Sequence, residues 1–211
     1  MRVRQRVKIC GITNREDAEA AIELGADALG FNTWTGSKRY VDLQKEAVWI
    51  RRLPPFVTKV AVLVNPTIAE AEAVFGLPFI DVVQFHGSEN EGFCGHFAKA
   101  GLPFIKAIPL KDVSSLENMG RFGTPDILID AYSAGAFGGT GRLIDLELAA
   151  KFVEAHKQFR VILSGGLNPE NVKEAILSVS PYAVDVASGV EREPGKKERS
   201  LVAAFIREAN A

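Results

Sequence analysis

Cysteine is scarce in this chain: two in 211 residues, with two tryptophans and two methionines. Two thiols, Cys10 and Cys94, cannot build the dense disulfide framework of a small secreted domain, and they read as free thiols in a reducing compartment. Histidine is rare as well. His86, His96 and His156 show no metal-ligand spacing and no cysteine cluster joins them, so no metal is expected. Charge of one sign is also missing. With 25 basic and 26 acidic residues the formal net charge is −1, which removes any bulk attraction to nucleic acid or membrane. No apolar run approaches the roughly 20 residues that span a bilayer. There is no Walker loop, no Gly-x-Gly-x-x-Gly after the first strand, no Ser–His–Asp signature and no low-complexity linker. Met1–Arg6 is basic but leads into a short strand instead of a signal-peptide core, and the cytoplasm is the expected compartment.

What the chain does have is an ordinary globular composition, 47% apolar and 24% charged, enough for one core spanning residues 1–211. Short apolar runs predict strands at Val7–Gly11, Ala28–Asn32, Val57–Val64, Val82–His86, Phe104–Ile108, Ile127–Ala131, Arg160–Ser164 and Ala183–Ala187. They are nearly continuous in apolar character, as strands covered on both faces are. Helical patterns fill the gaps: Arg15–Leu24 with Thr13 and Asn14 as cap candidates and Gly25 closing it, Asp42–Leu53, Thr67–Phe75, Glu89–Ala100, Val113–Met119, Asp145–Lys157, Asn168–Ser178 with Pro169 in its first turn, and Lys197–Ala209. Strict alternation implies parallel strands with right-handed crossovers. Eight units in this length predict an α/β fold, a single-domain (β/α)8 TIM barrel; an open doubly wound sheet is the alternative.

Chemistry in such barrels sits at the C-terminal ends of the strands. Cys10 ends the first strand and is either a small buried hydrophobe or a reactive thiol, with Lys8 or Arg39 as a source of positive charge beside it. Asp130 ends the sixth strand, as a loop cap or a general acid; to donate a proton a carboxyl must hold one, which burial favours. Arg39, in Ser37-Lys38-Arg39-Tyr40, is a solvated basic turn or a bidentate grip on a carboxylate. Gln84 and His86 are two apart on the fourth strand and face the same way. Ser164-Gly165-Gly166 after strand seven and Ser188-Gly189 after strand eight suit a phosphate cradle of backbone N–H groups. The long segments Thr33–Tyr40 and Tyr132–Gly141, the latter with Gly139 and Gly141, are functional candidates by length. His96, His156 and Cys94 fall on predicted helices, the histidines at the surface and the cysteine in a structural place.

VKICGIT (Val7–Thr13), GADALGF (Gly25–Phe31), SKRYV (Ser37–Val41), VQFHG (Val83–Gly87), LIDAY (Leu128–Tyr132), GGTGR (Gly138–Arg142), LSGGLNPENV (Leu163–Val172) and VDVASGVE (Val184–Glu191) together resemble the phosphoribosylanthranilate isomerase family of tryptophan biosynthesis. That resemblance implies a cofactor-free Amadori rearrangement of N-(5-phosphoribosyl)anthranilate to 1-(2-carboxyphenylamino)-1-deoxyribulose 5-phosphate. By resemblance, Cys10 is the general base, Asp130 the general acid and Arg39 the partner of the anthranilate carboxylate. Ser164, Gly165, Gly166, Ser188 and Gly189 then hold phosphate, and Gln84, His86, Gly139 and Gly141 complete the substrate site. The chain departs from the family pattern at Asn32–Gly36 and Leu143–Leu146, neither of which removes a catalytic group. The implied partner is a small phosphorylated molecule, with no nucleic acid and no membrane, and both a monomer and a homodimer fit. Histidine-pathway sugar isomerases are a rival, but they use paired aspartates where this chain has Cys10. A non-catalytic sensor of phosphorylated ligands on the same scaffold is the rival from another class, and nothing in it requires opposed acid and base groups.

Overall fold

The computed structural model describes residues 4–112, 119–131 and 143–211. Eight parallel strands close into a barrel in sequence order: β1 (Arg6–Cys10), β2 (Ala28–Asn32), β3 (Thr58–Leu63), β4 (Val82–Phe85), β5 (Phe104–Leu110), β6 (Asp126–Ala131), β7 (Arg160–Leu163) and β8 (Ala183–Val186). Pairing of β1 with β8, Lys8 opposite Asp185 and Ile9 opposite Val186, closes the ring. The open-sheet alternative is thereby excluded.

The barrel follows from the two faces of each strand. Residues pointing outward, such as Ile9, Leu29, Phe31, Phe85, Ile127, Ile129 and Val184, join one large core beneath the helices. Residues pointing inward form a separate small cluster of Val60, Ile105, Ala107, Leu128, Ile162 and Ala183. Further along five of the strands, on the same inward face, the side chains turn polar: Ala28 and Gly30 lead to Asn32, Val82 to Gln84, Leu128 to Asp130, Ile162 to Ser164 and Ala183 to Asp185. An apolar plug therefore fills the N-terminal half of the interior, and a polar floor lies on top of it at the C-terminal mouth.

The outer helices among the described residues are α1 (Arg15–Glu23), α2 (Ala47–Ile50), α3 (Ile68–Phe75), α4 (Glu91–Lys99), α5 (Leu146–Ala155), α6 (Val172–Val179) and α7 (Arg199–Ala209). Asn14, not Thr13, caps α1 by accepting from the Asp17 amide, and Gly25 follows α1 with φ +100°. Thr67 and Glu70 form a capping box at α3.

Two expectations are corrected, and one element is unanticipated. The helix expected over Asp42–Leu53 is regular only at α2, because the Asp42 carboxylate turns the chain by accepting the Gln44 and Lys45 amides. The helix expected from Asn168 starts at Val172: Asn168 Oδ1 accepts from the Glu170 and Asn171 amides, so Pro169 lies in a turn before the helix. Between β8 and α7 the chain inserts a hairpin of β9 (Glu191–Glu193) and β10 (Lys196–Lys197), turning at Gly195 with φ +83°. The expected helix Val113–Met119 lies outside the described residues apart from Met119, which opens a 3-10 turn to Phe122.

Candidate active site

Cys10 and Asp130 line one cavity at the barrel mouth, together with Gly11, Asn32, Ser37, Arg39, His86, Ser164, Asp185 and Ala187. Its volume is about 60 Å³. A larger cavity, about 730 Å³, opens at the other end between α6 and α7, against residues such as Gln5, Pro181 and Asn210. No strand C-terminus reaches that cavity, and the side chains suited to acid–base chemistry meet in the small one.

Cys10 is half-buried, and burial pushes its thiol above the ordinary range while Lys8 and Lys197 pull it back. Lys8 comes from β1 itself and Lys197 from β10 of the hairpin. Lys8, two residues before Cys10 on the same face, gives a hydrogen bond of 2.7 Å to Asp185 Oδ1 and stands beside the sulfur. Burial disfavours its charge, but Asp185 and Cys10 outweigh that and raise its pKa. Lys197 Nζ donates to the Cys10 carbonyl at 2.5 Å, the Ala187 carbonyl at 3.1 Å and Glu191 Oε1 at 2.7 Å. Burial is the largest influence on Lys197 and lowers its pKa, against the pull of Glu191. Gly30 makes room for the sulfur: a Cβ there would lie 2.7 Å from Cys10 Sγ and 3.1 Å from Lys8 Nζ.

Asp130 is 7% exposed. Its Oδ1 accepts from the Ala131 amide at 2.9 Å, and its Oδ2 lies 3.2 Å from His86 Nε2. Gln84 Nε2 stands 2.7 Å from His86 Nδ1. Gly165, with φ +97°, passes so close that a Cβ would come within 2.6 Å of the Ala131 nitrogen.

Arg39 reaches the cavity in the grip of Glu191, with Nε 2.9 Å from Oε1 and Nη2 2.7 Å from Oε2. The Glu191 hydrogen bond raises the Arg39 pKa further. Burial works against the Glu191 charge, yet Arg39 and Lys197 together hold the carboxylate below its usual range. The β9–β10 hairpin is pinned to the loop after β1 and to the first turn of α1, since Thr13 Oγ1 donates to the Gly195 carbonyl and the Lys197 amide to Asp17 Oδ2 at 2.8 Å.

Of the residues expected from sequence, Cys10, Asp130, Arg39, His86 and Ser164 share the cavity lining. Gln84 is fully buried directly behind His86. Gly165 and Gly166 both adopt positive φ, and Gly189 is packed against the Leu167 carbonyl, so the loops after β7 and β8 adjoin. Gly139 and Gly141 lie outside the described residues. The sequence pattern singles out Lys8 as a source of charge but not Asp185, Glu191 or Lys197. The available signal was a charge inside an apolar strand, VKI and VDV, because fully buried charges are almost always paired. His96 pairs with Glu72 at the surface, and half-buried His156 stacks on Phe152 and Phe159. Cys94 is buried, and burial pushes its thiol up to about 11. Among the described residues no three His, Cys, Asp or Glu side chains gather as metal ligands, and no helix is long and apolar enough to cross a membrane.

A closed parallel barrel with a thiol, a carboxyl group and three buried or half-buried cations around its C-terminal mouth has the layout of a (β/α)8 barrel enzyme. Residues 7–208 match the family model described as N-(5'phosphoribosyl)anthranilate (PRA) isomerase, and the chain belongs to that family. An N-(5'-phosphoribosyl)anthranilate isomerase from Geobacter metallireducens is 45% identical over 207 residues, 98% of this chain and 99% of its own. The crystal structure of phosphoribosyl anthranilate isomerase from Thermotoga maritima superposes with a TM-score of 0.87 at 40% identity, covering 97% of this chain and 98% of that one. A crystal structure of phosphoribosyl anthranilate isomerase in complex with reduced 1-(o-carboxyphenylamino)-1-deoxyribulose 5-phosphate gives a TM-score of 0.83 at 38% identity, over 97% of this chain and 98% of that one.

Proposed function

We propose that this barrel isomerises N-(5-phosphoribosyl)anthranilate to 1-(2-carboxyphenylamino)-1-deoxyribulose 5-phosphate, with Asp130 as general acid and Cys10 as general base. The observation that carries the reading is the presence of both groups on one cavity at the mouth, from strands on different sides of the ring. Asp130 gives its proton to the ribose ring oxygen. The C–O bond breaks, and the anthranilate nitrogen takes up the positive charge as an iminium. That charge acidifies the proton on C2, and Cys10 removes it as thiolate. The resulting enolamine tautomerises to the ketone. Lys8 and Lys197 supply the positive field a buried thiolate needs.

The ends of the substrate are held apart from the reacting atoms. Among the described residues, the N–H groups of Gly165 and Gly166 meet no acceptor, which suits a backbone cradle for the phosphate, with Ser188 and Gly189 from the adjoining loop. Arg39, oriented by Glu191, faces the cavity as the partner for the carboxylate. The same reading gives a cytoplasmic enzyme that acts on a small phosphorylated molecule as monomer or homodimer.

The test is the loss of anthranilate-type fluorescence when the purified protein meets phosphoribosylanthranilate. Cys10→Ser and Asp130→Asn are each expected to lower kcat by about 10²- to 10⁴-fold, with KM largely kept. Near-normal turnover in either variant removes that residue from the reaction.

A further inference from the structure

Gln84 is 0% exposed, and its Oε1 has no hydrogen-bond partner among the described residues. An orphaned buried carbonyl oxygen is unfavourable and calls for a reason. At the same level of the barrel its strand neighbours are Val62 on β3 and Ile105 on β5, neither with a polar side-chain atom. The group its amide reaches is His86, two residues on and on the same face. The amide nitrogen points there, 2.7 Å from Nδ1.

An amide nitrogen only donates, so the Nδ1 it meets has to accept. A neutral imidazole with an accepting Nδ1 carries its proton on Nε2. That Nε2 lies 3.2 Å from Asp130 Oδ2. With the amide turned this way, the ring proton on Nε2 faces the carboxyl group at the other end of the row.

We propose that Gln84 is a positioning residue for the acid step, holding His86 as its Nε2–H tautomer so that His86 is a standing donor to Asp130 Oδ2. The inference rests on Asp130 being the general acid. When the Asp130 proton passes to the ribose ring oxygen, the negative charge left on the carboxylate falls on oxygens already facing two donors, His86 Nε2–H at Oδ2 and the Ala131 amide at Oδ1. Donors placed in advance where charge develops lower the barrier without reorganisation. The opposite tautomer would aim a lone pair at the same oxygen and oppose the step. His86 and Gln84 then belong to the acid, not to the substrate's hydrogen-bonding contacts.

The test reads the tautomer directly. With three histidines in the chain, the ¹⁵N ring resonances of His86 can be assigned by comparison with His86→Gln. In the unmodified protein Nε2 is expected to be protonated and Nδ1 bare; a protonated Nδ1 overturns the proposal. Gln84→Glu presents only acceptor oxygens when ionised, so Nδ1 becomes protonated and kcat falls at least about tenfold with KM within about twofold. Gln84→Met, an apolar side chain of similar size, leaves the ring free to mix tautomers and lowers kcat less. A tautomer change without loss of kcat, or a loss of kcat without a tautomer change, also overturns it. The underlying reading fails separately: full turnover by Asp130→Asn removes the acid assignment whatever proton His86 carries.

Discussion

Lys8 and Asp185 face each other across the β1–β8 seam, joined by a 2.7 Å ion pair whose side chains are 4% and 5% exposed. A pair so deeply buried is an expensive way to close a barrel, because apolar residues of similar volume commonly serve as well. Its position explains its presence. It brings an ammonium group to the Cys10 sulfur, where burial alone would keep the proton on the thiol.

Lys8→Met tests that link. Burial raises the Cys10 pKa and Lys8 lowers it, so without the lysine the thiol titrates higher still, and the unpaired Asp185 pushes in the same direction. Less thiolate is then present at any given pH. The acid limb of the kcat/KM profile is expected to move toward alkaline pH, with activity at neutral pH reduced and partly recovered as pH rises. A limb that stays in place shows that Lys8 does not act on the thiol. Guanidinium denaturation of the same variant should show a loss of about 3–5 kcal/mol from the uncompensated Asp185 charge.

Arg39 and Glu191 carry the second prediction. Charge-assisted hydrogen bonds are worth about 1.5–3 kcal/mol each, so with Arg39 in its proposed role Arg39→Ala is expected to raise KM about 10- to 100-fold, with a smaller change in kcat. Glu191→Gln keeps the arginine but weakens its hold and removes the charge that Lys197 shares. A KM between those of the native protein and Arg39→Ala is expected in steady-state assays. An unchanged KM in Arg39→Ala would mean that the carboxylate is held elsewhere.

The barrel was legible in the sequence because its signal is local and repeated: an apolar run, a polar end, a helical pattern, then another run. Cys10 and Asp130 stood out for the same reason, each a reactive side chain at the end of a short apolar run. Lys8 and Asp185 were harder to read, since their pairing joins the first strand to the last, 177 residues apart. The β9–β10 hairpin was missed although Pro194-Gly195 is a turn signal, because two short, highly charged strands carry no hydrophobic alternation. The Glu191 grip on Arg39 spans 152 residues and depends on that hairpin, so nothing near Arg39 in the sequence announces it.

A third prediction concerns stability at the edge of the site. Lys106 Nζ lies 2.6 Å from Glu89 Oε2, with side chains 4% and 1% exposed, and also donates to the Gly87 carbonyl at 2.9 Å. Glu89 Oε1 in turn accepts from the Asn65 amide at 2.9 Å and the Gly87 amide at 3.0 Å. One ion pair thus ties the segments after β3 and β4 to β5, and Gly87 directly follows His86. Lys106→Met leaves a buried carboxylate with amide donors but no cation, and a loss of about 3–5 kcal/mol is expected from urea unfolding midpoints at constant m-value. Glu89→Gln keeps an acceptor for the Asn65 and Gly87 amides but leaves the ammonium without its counter-charge, and is expected to cost less than Glu89→Leu, which abandons the amides as well. The order of the two Glu89 variants is decisive. Equal losses would show that the charge alone matters, and that the two amide contacts do not help to hold the loop beside His86.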